Sequence, residues 1–100
     1  VTPQTRLIAV CNPNNPTGYI LSEPEMEAIC AAADRVGAWI LADEVYRGAE
    51  RTTDAETPSF YGRYERVIAV GSMSKAYGLP GLRIGWIVGP GSRSRRLERP

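Results

Sequence analysis

"RLIAVCNPNNPTGYILSEPEMEAICAAADRVGAWILAD" (residues 6–43) holds two apolar runs separated by turn chemistry and an amphipathic segment. The first run, "RLIAVCN" (6–12), is continuous and bounded by a turn cluster, the pattern of a strand buried on both faces. "NPNNPTG" (12–18) is turn chemistry throughout. "SEPE" (22–25) forms a capping box, with Ser22 as N-cap, Glu25 three residues on and Pro24 tolerated in the first turn. Met26, Ile29, Cys30 and Ala33 then recur at helical spacing, and Gly37 is a natural stop. "AWILAD" (38–43) is a second buried-strand pattern. Strand, helix and strand with short links predict a βαβ unit, and therefore a parallel pair joined by a right-handed crossover.

Beyond it, residues 44–65 are polar and irregular, with one helical turn expected around Pro58 to Tyr61. "RVIAVG" (66–71) predicts a third buried strand and "LRIGWIVG" (82–89) a fourth. About ten residues join these two, fewer than the dozen or more a parallel crossover needs, so the fourth strand is expected to run antiparallel. The fold class is therefore α/β, a mostly parallel sheet with one antiparallel strand. Only one clear helix is available to cover it, so the chain is expected to belong to a larger fold and, alone, to expose sheet edges and apolar faces.

Composition removes several kinds of chemistry. A net charge of +1 and 43% apolar residues give no field that selects nucleic acid or membrane. The basic cluster Arg93, Arg95, Arg96 and Arg99 is short, lacks interleaved aromatics and is read as a solvated terminus. No apolar run approaches the ~20 residues of a membrane span, and no secretory leader pattern occurs. With no histidine, a zinc site and Ser-His-Asp or Cys-His catalysis are not expected. No metal is expected at all. Cys11 and Cys30 form no CxxC pair and are read as small core residues.

Lys75 is the single lysine among 12 basic residues. Arginine keeps its proton at any accessible pH, whereas a lysine amine can lose its own and act as a nucleophile. Lys75 follows the third strand in "SMSK" (72–75), the first strand is followed by Asn12 to Gly18, and the second by "DEVY" (43–46). Ligands of open parallel sheets bind beyond the carboxyl ends of the strands, so three polar clusters converge on one rim. Neither GxGxxG nor GxxxxGK[ST] is present. A phosphate could take hydrogen bonds from Ser72, Ser74 and Arg83. Asp43 would repel it unless a cation lay between. Pyridoxal phosphate meets all three demands: its phosphate on the Ser/Ser/Arg side, its protonated ring nitrogen on the carboxylate, its aldehyde on the lysine.

"NPNNPTG", "DEVY" and "SMSKAYGLPGLRIGW" resemble, in order and spacing, three motifs of the class I/II aminotransferases, pyridoxal-phosphate enzymes of fold type I. The resemblance runs from about residue 5 to 90. It implies that Lys75 is the Schiff-base lysine and later the base that moves the substrate's α-proton. Asp43 matches the acid that keeps the pyridine nitrogen protonated, and Tyr46 and Asn15 the pair that hydrogen-bonds the ring's phenolic oxygen. Asn15 also lies near the substrate carboxylate in relatives. Ser72, Ser74 and Arg83 match the phosphate ligands, Val45 the small apolar residue on the ring face, and Asn15–Pro16 a peptide bond that is cis in relatives. Glu44 and Thr17 are read as structural, Tyr77 and Trp86 as packing residues, and Gly78, Gly81 and Gly85 as allowing close turns.

The implied activity is transfer of an amino group between an amino acid and a 2-oxo acid. The implied architecture is the central part of the large cofactor-holding domain, with its N-terminal part and a small C-terminal domain outside this chain. A homodimer in the cytoplasm, with small-molecule substrates and neither nucleic acid nor membrane as partner, is expected. Other fold type I chemistries (lyase, decarboxylase, amino-acid cyclase) and a non-enzymatic ligand-sensing domain remain alternatives, because the residues in view hold the cofactor and do not choose the substrate.

Overall fold

The computed structural model describes residues 1–51 and 53–91; the arginine cluster from Arg93 to Arg99 lies outside them. Strand β1 (Leu7–Cys11) leads through the Asn/Pro turn into helix α1 (Glu23–Val36), then strand β2 (Trp39–Asp43). After a long irregular segment come β3 (Val67–Ser72), a 3-10 turn at Pro80–Leu82 and β4 (Gly85–Val88). The sheet order is β1-β2-β3-β4. β1, β2 and β3 are parallel, with Cys11, Asp43 and Val70 in one row, and β4 is antiparallel to β3 with Gly71 opposite Trp86. Among the described residues no helix is long and apolar enough to cross a membrane.

Local chemistry sets the ends of α1. Ser22 Oγ accepts from the Glu25 N–H (3.3 Å), and Glu25 Oε1 accepts from the Ser22 N–H (2.9 Å), closing the capping box. Gly37 takes the left-handed conformation (φ 69°), which a glycine adopts without a Cβ penalty, and its N–H reaches back to the last turn. The helix lays Met26 and Ala33 onto Ile40, Ala42, Val67 and Ala69 of the sheet and onto Ala38 just before it.

The core also contains Phe60, fully buried, from the segment expected to be polar. The helical turn expected around Pro58 to Tyr61 is absent. Phe60 inserts there instead, the Arg63 N–H closes a turn on the Phe60 carbonyl (3.1 Å), and Tyr61 and Tyr64 form an isolated bridge. The Tyr64 hydroxyl donates to the Ala38 carbonyl (2.9 Å), tying the segment to the start of β2.

Burial on both faces holds on one face only. Along β2, Ile40 and Ala42 are buried against α1, while Trp39, Leu41 and Asp43 on the other face are half-buried. Leu7 in β1 is 53% exposed on the face that α1 leaves open, and all four residues of β4, the edge strand, are exposed. β4 is also shorter than expected: Pro80–Leu82 and Arg83 use the first part of "LRIGWIVG" for the turn. Cys11 and Cys30 are free thiols and half-buried. Cys30 packs against the core, and burial pushes its thiol pKa up.

Candidate active site at the strand ends

The turn after β1 is held by its own polar groups. The Asn14 N–H donates to the Tyr19 carbonyl (2.9 Å), the Gly18 N–H to the Asn14 carbonyl (2.8 Å) and Asn14 Nδ2 to Thr17 Oγ1 (2.7 Å). Both Asn12–Pro13 and Asn15–Pro16 are cis. The turn carries Asn15 across to the second strand, where its Nδ2 donates to the Tyr46 hydroxyl at 3.2 Å, a contact between residues 31 apart in sequence.

Asp43 closes β2, half-buried, and its Oδ1 accepts from the Val45 N–H (3.2 Å). Alternation along the strand then turns Glu44 to the opposite, core side. Glu44 is 8% exposed; its Oε1 accepts from the Ser59 hydroxyl (2.6 Å) and its Oε2 from the Phe60 N–H (2.8 Å). The loop beyond is stitched twice more. Arg47 Nε donates to the Thr57 carbonyl (2.6 Å), and the Glu50 carboxylate accepts from the Gly48 and Thr57 N–H groups and from the Thr57 hydroxyl. Burial pushes the Glu50 carboxyl up, but the hydrogen bonds from Thr57 and Gly48 outweigh it and hold the group below the usual carboxylate range.

After β3, Ser72 Oγ accepts from the Ser74 N–H (3.1 Å), which leaves the Ser72 O–H free to donate. The Met73 N–H pairs with the Ile84 carbonyl (3.0 Å) and the Leu79 N–H with the Met73 carbonyl (2.9 Å), so the Lys75 loop is closed at its base. Lys75 Nζ stands 6.0 Å from the centroid of the Tyr46 ring. Beside this loop a cleft of about 250 Å³ is lined by Val45, Ser72, Tyr77 and Trp86, among others. Tyr77 meets Trp86 edge-on with ring centroids 6.3 Å apart, a packing contact.

The structure thus brings Asn15, Tyr46 and Lys75 into one cluster, with Asp43 closing the strand that leads to Tyr46 and Ser72 closing the next strand. Arg83 is placed differently. Its φ is 54°, in the left-handed region, and its Nη1 donates to the Pro80 carbonyl of its own turn (3.2 Å) rather than to Ser72 or Ser74. Asn12 carries no motif signal in the sequence, yet it is 1% exposed, and its Oδ1 accepts from the Leu21 N–H (2.9 Å) while its Nδ2 is buried with no partner among the described residues. Its signal was positional: it lies one residue past Cys11, the register partner of Asp43.

The donor set fits pyridoxal phosphate. A primary amine, a phenol and an amide meet at one rim, the carboxylate that closes the strand leading there has one oxygen unpaired among the described residues, and the Ser72 hydroxyl has a proton to give a phosphate. With its hydroxyl oxygen accepting from Asn15, Tyr46 has its own proton left to donate outward.

The family model described as aminotransferase class I and II matches residues 2–97. The chain is 45% identical over 93 residues to an aromatic amino acid aminotransferase of Streptomyces coelicolor, an overlap covering 88% of this chain and 24% of the relative. It is 36% identical over 96 residues to an aspartate aminotransferase of Musicola paradisiaca, covering 90% and 23%. The crystal structure of a PLP-dependent aminotransferase from Streptococcus suis superposes with a TM-score of 0.84 at 40% identity, over 95% of this chain and 25% of that one. The chain spans about a quarter of the length of the curated relatives it matches.

Proposed function

The chain belongs to the aminotransferase class I and II family, and from that premise we propose that it forms the centre of the large domain of a pyridoxal-phosphate-dependent aminotransferase. In this reading its rim residues hold the cofactor while an amino group passes between an amino acid and a 2-oxo acid. The remaining strands and helices of that domain would pair with β1 and β4 and cover the open face of the sheet, where Leu7 and the β4 side chains are exposed here. The observation that carries the reading is the meeting of the Lys75 amine, the Tyr46 ring and the Asn15 amide at the ends of three different strands.

When bound, pyridoxal phosphate supplies an aldehyde that captures amino groups and a ring that absorbs the electron pair left by a departing α-proton. Lys75 Nζ would hold the cofactor at its aldehyde carbon and, once freed, carry the proton to and from the substrate's Cα, a transfer favoured by proximity. Asp43 would accept from the pyridine nitrogen through its uncommitted Oδ2. An opposite charge within ~4–6 Å favours the protonated form by about 1–3 pKa units, and such fixed charges are commonly the largest catalytic contribution. The Tyr46 hydroxyl, oriented by Asn15, would donate to the ring oxygen. Ser72, Ser74 and Arg83 would donate to the phosphate, with Arg83 offering the guanidinium nitrogens not used on Pro80.

The test is borohydride reduction of the full-length polypeptide that carries this chain, loaded with cofactor, followed by peptide mass mapping. The cofactor is expected on Lys75 and is expected to be lost from Lys75→Ala; a linkage that survives that substitution refutes the assignment. A half-reaction screen of amino donors then reads the chemistry. Conversion of the donor to its 2-oxo acid supports transamination, and loss of carbon dioxide or of a side-chain group overturns it. A homodimeric assembly and a cytoplasmic location complete the proposal from the family resemblance, and light scattering and cell fractionation test them.

A further inference from the structure

Asp43 and Glu44 are adjacent acids with opposite surroundings. Asp43 faces the rim, half-buried, whereas Glu44 is turned under it with both oxygens occupied and no ion-pair partner among the described residues. A buried carboxylate is costly unless its hydrogen bonds are good, so a loop anchor alone would be served as well by a neutral side chain. What the carboxylate adds is two charge-assisted acceptors at fixed angles, which hold a backbone more rigidly than neutral ones.

The group that Glu44 grips is itself fixed from the far side. The Ser59 hydroxyl donates to Glu44 and accepts from the Tyr61 N–H (3.0 Å), and the Ser59 carbonyl accepts from Arg63 Nε (3.2 Å). The Arg63 guanidinium makes a two-pronged bridge to the Glu23 carboxylate in the first turn of α1, each contact 2.7 Å. A continuous polar chain therefore runs from α1 through Arg63 and Ser59 to Glu44, ending between Asp43 and Tyr46.

We infer that Glu44 is a positioning residue: its carboxylate, locked through Ser59 and Phe60, sets the peptide that aims Asp43 and the loop that delivers Tyr46 to the cofactor. The inference rests on the function proposed above. Because side chains alternate along β2, any rotation of the strand end that loosens Glu44 also re-aims Asp43. Tyr46 lies two residues past the clamp, and the Arg47 N–H to Glu44 carbonyl turn (3.0 Å) transmits the position directly.

The experiment uses the full-length apoprotein titrated with pyridoxal phosphate, reading the dissociation constant by fluorescence and the cofactor's orientation by visible circular dichroism. Glu44→Gln places an NH₂ or loses an acceptor against Ser59 or Phe60, and Ser59→Ala removes one anchor while keeping the charge. Each is expected to weaken cofactor binding about tenfold, the low end of what hydrogen-bonding partners behind metal ligands carry, and to change the visible dichroic band. Ser59→Thr retains the hydroxyl and is expected to restore both. Unchanged affinity and unchanged dichroism in Ser59→Ala overturn the inference, whatever happens to the melting temperature, as does a Ser59→Thr that restores nothing. Should Glu44→Gln fail to fold, the Ser59 pair decides. If the unaltered protein captures no cofactor at Lys75, the function itself is refuted, and that outcome is separate from failure of the clamp.

Discussion

Replacing Gly71 with alanine is expected to destabilise the sheet only while Trp86 is present. Gly71 faces Trp86 across the antiparallel pair, and a Cβ built on it would stand 2.5 Å from the indole Nε1, 2.6 Å from Cε2 and 2.8 Å from Cζ2. Carbon contacts settle near ~3.5–4.0 Å, so the indole would have to retreat by about 1 Å. Tyr77 stands edge-on against that ring, and the pair would be pulled apart. Overpacking of this kind costs about 1–3 kcal/mol, and a lost aromatic pair about 0.5–1.5 kcal/mol more. Set against this, alanine in a strand gains roughly 0.5–1 kcal/mol over glycine through backbone entropy. Gly71→Ala should therefore cost about 0.5–4 kcal/mol with Trp86 in place and stabilise by about 0.5 kcal/mol in the Trp86→Ala background. A four-protein cycle in urea, followed by far-ultraviolet circular dichroism, measures this coupling. An equal cost in both backgrounds would show that Gly71 is required by its backbone and not by the indole.

The first turn of α1 should give way in acid. The Arg63 hydrogen bonds hold Glu23 below the usual carboxylate range, and the Ser22 N–H and Tyr19 hydroxyl do the same for Glu25. Groups depressed in the native state stabilise it fully above their unfolded pKa, about 4.3, and lose that contribution as pH falls through the lower native values. Stability measured from neutral pH downward should therefore begin to fall near that value, and less steeply in Arg63→Ala; parallel profiles would refute the pairing. Asp43→Asn should leave borohydride capture on Lys75 intact while turnover drops by about 10- to 1,000-fold, the equivalent of 1–3 pKa units on the ring nitrogen; undiminished turnover would remove Asp43 from the chemistry. Arg83→Gly should relieve a left-handed backbone that costs a side-chain-bearing residue about 1–2 kcal/mol. A higher melting temperature with weaker cofactor binding is expected, and unchanged binding would exclude Arg83 as a phosphate ligand.

Much of the architecture could be read because its determinants are local. The capping box, Gly37 and two apolar runs define the crossover unit within residues 6–43, and the short link after β3 forces β4 to turn back. The rim was legible for a related reason: each cluster directly follows a strand, so strand order alone brings "NPNNPTG", "DEVY" and "SMSK" together. What escaped depends on partners far away in sequence. Phe60 stands beside Tyr61 in a mostly polar stretch, and nothing in that local pattern announces that Phe60, and not its neighbour, joins the core. The exposure of β4 is a property of the sheet's edge and cannot be heard in "GWIV" (85–88), whose composition suits a covered strand. Arg83 illustrates the same limit at one residue, since its left-handed φ comes from the 3-10 turn before it.

Asn12 and Glu44 show how a rim of this kind is kept in place. Three parallel strands that end side by side release three loops at once, each with backbone groups that no longer have a strand to pair with. One residue past the Cys11 and Asp43 row, the pleat turns Asn12 and Glu44 inward, and each takes up a backbone N–H from the far end of its own loop: Leu21 for Asn12, Phe60 for Glu44. Asn12 does so while leaving its Nδ2 buried and unpaired among the described residues, a loss of about 1–3 kcal/mol that an apolar residue would only transfer to the Leu21 N–H. In the function proposed above, the side chains offered at the rim and those that fasten the loops are close in sequence, and Asp43 and Glu44 turn to opposite sides of the sheet. The side chains offered to the ligand can be no better placed than the buried groups directly behind them.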